Sequence, residues 1–388
     1  MSEQEAMMSF RLTIPARINI LGNPSDAAEG DFATISAAVD MRAGAIVEPA
    51  AEIRLEMLKD VDGNHEPIRT QAFDRDQIPL PYDGTLDLVK GAINRLYRFS
   101  AEFREKLTEG GIRITTWTRV PRQSGLGGSS LFVLLALAGL RQRYELDPRR
   151  HNDYVLSELT QRVEDKELGI TCGFADRYVP LFGGIAYLDY RGKLEQQEIQ
   201  QEPYVTYERL DAWVDEIPLV AVSSGLMRDS GDVHGRMRPR YLKEYHEWQR
   251  RGGGMPPMVS FMTGAWETAW RGKIALLQQD WPTFGRLMNE NHRLVDQMMT
   301  YCGFSDGAGA VNNYLIEMAL NHGALGAKLT GAGSGGSVFA LVPPGEEDAL
   351  VETWGKAVKE AGLSHAHIYR PRISRQGLTI EKIGTGEV

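Results

Sequence analysis

Cysteine is nearly absent: two residues, Cys172 and Cys302, stand in a chain of 388. So few thiols exclude a disulfide framework or a zinc site built on several thiolates, and they suit a reducing compartment. Long hydrophobic runs are missing too. The longest, Leu131 to Ala138, falls far short of the ~20 residues a spanning helix needs. The opening MSEQEAMMSFRLTIPAR has no basic stretch followed by an apolar run, so it does not read as a signal peptide. Positive charge is not in excess: the formal net charge is −9. That balance argues against nucleic acid or an anionic membrane as the main partner, while a local group of arginines still suits a small anionic substrate. The expectation is a soluble, cytoplasmic protein with no nucleic-acid and no membrane partner.

What is present is ordinary for a globular chain: 42% hydrophobic and 24% charged residues. A length of 388 exceeds the roughly 250–300 residues at which single cores stop growing, so two domains are expected. LTIPARINI (12–20) reads as strand and runs into the turn GNPSD; FATISAAVDMRAGAIVEP is further strand. TLDLVKGAINRLYRF has apolar Leu86, Val89, Ile93 and Leu96 at helical spacing. IRITTWTRV (112–120) alternates as a strand, helices follow at 129–144 and 157–168, and GGIAYLDY is strand again. Residues 191–212 are polar without a clear period, which places the division between domains at 1–205 and 206–388. The second half opens on the strand IPLVAVSS (217–224) and continues through helices at 259–278, 281–300 and 308–322. SVFALV then precedes a helix from EEDALVETWGKAVKEAG and a closing strand, HAHIYRP.

Three clusters of small residues carry the chemistry. PRQSGLGGSS (121–130) lies between a strand and an apolar helix. Glycines let backbone N–H groups approach an anion, and a helix N-terminus adds unpaired donors. The alternative is a tight turn with serine N-caps. No Gly-Lys-Ser/Thr follows, so it is not a Walker A loop. KLTGAGSGGSVFAL (328–341) contains G-x-G-x-x-G at Gly331, Gly333 and Gly336, but it runs into a strand instead of a helix, which excludes a Rossmann turn. Such a run of small residues fits either a close approach of backbone to a ligand or a crowded turn between domains. In VEDKELGITCGFADRYVPLFGG (163–184), Glu164, Asp165 and Asp176 are carboxylates that fit metal binding or proton acceptance in phosphoryl transfer, or simply a solvated surface.

Taken in order, PARINILGNPSD, PRQSGLGGSS, ITCGFADR and KLTGAGSGGS resemble the GHMP kinases, the superfamily of galactokinase, homoserine kinase, mevalonate kinase and phosphomevalonate kinase. SGDVHGRMRPRYL, which is not a general superfamily motif, points to the glucuronokinase-like branch. GLGGSS departs from the commoner GLGSSA or GLSSSA, with Gly128 where a serine is usual. The resemblance implies an α+β, two-domain fold, a ribosomal-protein-S5-like N-terminal domain joined to a ferredoxin-like C-terminal one. It implies ATP and Mg²⁺ as cofactors and a small-molecule sugar as substrate. Pro121, Ser124, Gly125, Leu126, Gly127, Gly128, Ser129 and Ser130 would line the phosphates, with Gly331, Gly333 and Gly335 closing over them. Ser129 and Glu164 would hold the metal, Asp165 being the lesser candidate. Asp176 would be the catalytic carboxylate, also touching substrate, with Arg17 as its cation. Asn23 and Asp26 would bind the sugar. A substrate carboxylate would need a basic partner, and Arg228, Arg236, Arg238 and Arg240 are offered, Arg236 foremost; a solvated basic loop is the other reading of that run. The implied reaction is phosphorylation of an anomeric hydroxyl, with glucuronate leading; a neutral-sugar or heptose-phosphate kinase and a catalytically idle sugar or nucleotide sensor stand as alternatives.

Overall fold

In the computed structural model, which describes residues 8–28, 30–59, 66–121, 124–193, 198–226, 230–331 and 336–384, two sheets organise the chain. The larger contains β1 (Ser9–Leu21), β2 (Ala33–Ala50), β3 (Ile53–Leu58), β4 (Pro67–Phe73), β5 (Gly111–Thr118), β6 (Ile185–Asp189) and β7 (Thr206–Arg209). The smaller contains β8 (Leu219–Ser223), β9 (Gly326–Thr330), β10 (Ser337–Leu341) and β11 (His367–Tyr369), and β12 (Thr379–Ile383) returns to the larger. The larger runs β12-β1-β2-β5-β3-β4, with β6 pairing both β2 and β7. All its pairs are antiparallel except β3 with β5.

β1 is almost continuously buried because helices cover both of its faces. On one side lie α3 (Gly128–Arg143) and α5 (Ala175–Phe182), and behind them α1 (Asp87–Phe99), α2 (Ala101–Leu107) and α4 (Asp153–Arg162). On the other lie α7 (Pro257–Leu277) and α8 (Trp281–Tyr301), with α6 (Ser230–Arg251) packed on α7. Inside α3, every residue from Leu131 to Leu140 except Phe132 is buried, so the helix is apolar all round rather than striped. In the smaller sheet the antiparallel order β11-β8-β10-β9, backed by α9 (Ala310–Asn321) and α10 (Glu347–Glu360), is the βαββαβ arrangement of a ferredoxin-like unit.

The two expected domain classes are therefore present in an α+β fold, but the larger sheet takes strands from both sides of residue 205. β7 extends its edge and β12 pairs with β1, so the division at 205/206 does not coincide with the layer. Arg236, Arg238 and Arg240, for which a solvated basic loop is one of two readings, lie instead on the 22-residue α6, with Pro239 inside it. Val233, Met237 and Tyr241, spaced by four, bury against Met258, Met262, Met298 and Met299, and that stripe overrides the breakers. The residue four before Pro239 is Gly235, so the ring meets the carbonyl of a residue without a side chain. The helix expected at 157–168 ends as α4 at Arg162 and continues as one π-helical turn, Val163–Glu167. Among the described residues, no helix is long and apolar enough to cross a membrane.

Candidate active site

The cradle is built where β5 delivers the chain to α3. Gly127, at φ +80°, is the residue before the helix, and no side chain caps the first turn. Among the described residues no serine caps the amides there, which lie at the positive end of the helix dipole. Ser129 and Ser130 instead donate to Glu164, at 2.7 Å to Oε1 and 2.9 Å to Oε2. Ser129 is exposed and Ser130 buried, so only the first presents its hydroxyl to an incoming ligand. Ser124 Oγ is buried without a hydrogen-bond partner among the described residues. Leu126 is fully buried beneath the loop, and Pro121 and Gly128 are half-buried at its edge.

The second glycine cluster meets the first directly. A Cβ on Gly125 would lie 2.5 Å from the Thr330 carbonyl, and one on Gly331 would lie 2.7 Å from Gly125 Cα. At Gly125 and Gly331, β9 and the cradle thus approach backbone to backbone. Gly333 and Gly335 lie outside the described residues, as does Arg228.

Two arginines tie the carboxylates to this loop. A register shift between Pro15 and Ala16 on β1 precedes Arg17, as bulges often do beside functional sites. Arg17 donates to Asp176 Oδ1 from Nε at 2.6 Å and to the Gly125 carbonyl from Nη1 at 2.5 Å. Burial pushes the Asp176 carboxyl up, but the charges of Arg17 and Arg177 outweigh it and hold the pKa below the ordinary value. Arg177, next along α5 and fully buried, bonds to Glu164 Oε2 and to the Gly173 carbonyl. Glu164 thus spends one oxygen on Arg177 and Ser130 and turns the other toward Ser129. That pair of oxygen donors fits a hard cation such as Mg²⁺, which keeps waters and phosphate oxygens in its shell. Among the described residues no group of three or more His, Cys, Asp or Glu forms a metal cluster.

Asp26 is almost fully buried and accepts from the Phe174 and Ala175 amides at 3.1 Å each, capping α5 from another part of the chain. Burial raises its pKa, and the charge of Asp176 adds to the rise. A Cβ on Gly173 would lie 2.2 Å from Asp26 Oδ2, so ITCGF requires glycine there. Asn23 takes a hydrogen bond on Oδ1 from Lys328 at 2.7 Å and on its carbonyl from Asn291 at 3.0 Å, while its Nδ2 is buried without a partner among the described residues. Lys328, from β9, also donates to the carbonyls of Asn19 and Leu329. Burial alone lowers its pKa to about 7. Cys172 is buried, and burial pushes its thiol well above the ordinary value, as suits a space-filling side chain.

On α6 the basic run divides. Arg236 is exposed, pairs with Asp232 at 3.0 Å and lies over the Phe304 ring. Arg240 stacks on Tyr301 at 3.9 Å and donates to its carbonyl. These two, with Pro239, Lys243, Glu244 and Glu247, line an open surface depression of about 540 Å³ that contains no residue of the glycine loops or of ITCGFADR. Arg236 is therefore not brought to the cradle, because its helical position turns it to the outer flank. Arg238 faces the other flank, 3.5 Å from Asp165 Oδ1, and His234 shares that flank within reach of the Asp176 charge. Sequence reasoning did not single out Arg177, Lys328, Asn291 or His234 as site residues. Arg177, Lys328 and His234 stand inside the quoted motifs, and reading α6 as a helix would have paired His234 with Arg238.

A bare helix terminus beside two serines and a paired carboxylate defines a site able to bind and transfer phosphate. Sequence comparison agrees. Residues 87–184 match the family model for the GHMP kinases N-terminal domain, and residues 273–360 match that for GHMP kinases C-terminal. A probable glucuronokinase 2 of Arabidopsis thaliana is 31% identical over 340 residues, 85% of this chain and 83% of that protein. A mevalonate kinase of Thermococcus sibiricus is 28% identical over 390 residues, covering 97% of this chain and 99% of its own. In structure, Lactococcus lactis galactokinase complexed with galactose superposes with a TM-score of 0.74 at 19% identity, across 96% of this chain and 95% of that one. The chain belongs to the GHMP kinases, which phosphorylate an alcohol with ATP as donor.

Proposed function

We propose that this chain is an ATP-dependent sugar kinase that phosphorylates the anomeric hydroxyl of a sugar acid, glucuronate foremost. The observation that carries the reading is Arg17, whose guanidinium joins Asp176 to the carbonyl of Gly125 and so sets a carboxylate against the glycine loop. The likeness to a probable glucuronokinase supports the substrate class. The triphosphate would lie along Gly125 to Ser130, with Gly331 beside it and its terminal group at the first amides of α3. Asp176, held ionised by Arg17 and Arg177, orients the sugar hydroxyl. It accepts that proton as the new O–P bond forms and the bond from the γ-phosphorus to the bridging oxygen breaks; ADP leaves with the bridging oxygen. A carboxylate with so depressed a pKa is a poor base for a free alcohol, so proton transfer comes late, as a loose phosphoryl-transfer transition state allows. Ser129 and Glu164 would hold Mg²⁺, which screens phosphate charge. Asn23 and Asp26 shape the sugar side.

ADP release measured with ATP against glucuronate, galacturonate, neutral hexoses, heptose phosphates and mevalonate tests the reading. Turnover is expected with a uronate. Turnover of a neutral sugar, a heptose phosphate or mevalonate and none of any uronate would replace it, and ligand binding with no ADP release across the panel would indicate a sensor.

A further inference from the structure

The turn GNPSD leaves β1 after Leu21, and the second half of the chain holds it by hydrogen bonds. Asn291, in the middle of α8, accepts from the Gly22 amide on Oδ1 at 3.1 Å and donates from Nδ2 to the Asn23 carbonyl at 3.0 Å. Lys328 on β9 donates to Asn23 Oδ1 at 2.7 Å. α8 and β9 are themselves joined, since the Ala327 amide donates to Asn289 Oδ1 at 2.9 Å. Asn23, Asn291 and Lys328 are all buried. The acceptors of the Lys328 ammonium are uncharged, two backbone carbonyls and one amide oxygen. A buried ammonium held by dipoles in this way is costly, and an apolar side chain of that length would suit the core better.

We propose that Lys328 and Asn291 are positioning residues for the acceptor substrate, which fix the Asn23 amide so that its Nδ2 donates to a substrate hydroxyl oxygen. This rests on the reading above that Asn23 borders the sugar. An ammonium has donors and no acceptor, so only the Oδ1 end of an amide can face it. Lys328 therefore sets the rotamer of Asn23 and turns Nδ2 the other way. Asn291 grips the backbone on both sides of the Gly22–Asn23 peptide, so that side chain starts from a set position. Nδ2 is buried and meets no hydrogen-bond partner among the described residues. A buried donor left unmet is costly, which points to an oxygen supplied by a ligand. The turn carries that donor to the acceptor side, for Asp26, three residues on, lies close enough to Asp176 to feel its charge. Lys328 is fully buried and its protons are spent on Asn19, Asn23 and Leu329, so it acts through Asn23 and does not touch the substrate.

A double-mutant cycle tests this with steady-state kinetics of the unaltered enzyme, Lys328→Met, Asn23→Ala and the two combined, with glucuronate and ATP varied separately and Tm recorded for each. Replacing a buried charge by an apolar side chain of similar volume commonly preserves a fold, so Lys328→Met is expected to stay folded. Asn23→Ala should raise KM for glucuronate about tenfold and Lys328→Met about 3- to 10-fold, with KM for ATP changed by less than about twofold in each. In the Asn23→Ala background, Lys328→Met should add less than about twofold, because the amide it orients is gone. Asn291→Asp keeps an acceptor for Gly22 and loses the donor to Asn23, and it too should raise KM for glucuronate and spare that for ATP. β9 also carries Thr330 and Gly331 against Gly125, so a strand merely loosened would raise KM for ATP. An equal or larger rise there would overturn the proposal. So would the same fold-change from Lys328→Met in both backgrounds, or an Asn23→Ala variant with the parent's KM for glucuronate. If the unaltered enzyme turns over no uronate, the substrate reading fails by itself, and the same cycle run with the alcohol it does accept decides the positioning role.

Discussion

Arg17→Met removes the cation that links Asp176 to the glycine loop. The variant leaves a carboxylate with Arg177 at 3.9 Å from Oδ2 and with the buried Asp26 close enough to feel its charge. Breaking a buried ion pair by deleting one partner costs about 3–5 kcal/mol; the lower end applies here, because the Asp176 side chain is 22% exposed and Arg177 remains. With an unfolding entropy of about 2.1 cal/mol/K per residue over 388 residues, about 3 kcal/mol lowers Tm by about 4 °C. The pH dependence has a definite sign. In the parent, the Asp176 pKa lies below its ordinary value, so the pair's stability is fully present above the unfolded pKa and is lost as pH falls through the folded one. Without Arg17, burial weighs more heavily and the pKa rises, so the acid limb of kcat/KM moves toward neutrality. Scanning fluorimetry and a pH–rate profile measure both effects. A variant with the parent's Tm and a superimposable profile would refute the claim that Arg17 holds Asp176 ionised.

Gly125→Ala should destabilise the protein and raise KM for ATP, since the new methyl would lie 2.5 Å from the Thr330 carbonyl at a backbone φ of +75°; retained ATP affinity would show that β9 yields. Ser129→Ala should chiefly weaken use of MgATP, seen as a higher Mg²⁺ requirement in the ADP-release assay; a change confined to sugar affinity would move the metal elsewhere. Lys328 has a folded pKa of about 7 against an ordinary 10.5, so its ionisation penalises the fold most below pH 7 and progressively less as pH rises toward 10.5. Tm of the parent relative to Lys328→Met should therefore climb between pH 7 and 9; a flat difference would contradict the buried amine.

The motif order made the fold and the cradle legible, because glycine clusters mark backbone contacts that no other residue permits, as at Gly125 and Gly331. The strands β1, β5 and β10 were legible as β-rich segments, β5 by its alternation. What stayed hidden was long-range. β12 is a short strand, half-buried or exposed along its length, that becomes part of the sheet only by pairing with β1 some 366 residues away, as at Thr13 and Thr379. α6 was masked by Gly231, Gly235 and Pro239, whose local cost is outweighed by burial of Val233, Met237 and Tyr241. That miss favoured Arg236, whereas helical phase separates Arg236 and Arg240 from Arg238. The role of Asp26 as a cap for α5 depends on a contact between residues 26 and 174, which sequence spacing does not encode.

The most direct test of the central claim is Asp176→Asn, assayed by ADP release at saturating ATP with the preferred sugar. Asparagine keeps the size and loses the proton-accepting charge. The account predicts a fall in kcat on the order of 10²-fold or more with KM for ATP little changed. A kcat equal to that of the parent would take Asp176 out of the reaction and contradict the site as drawn.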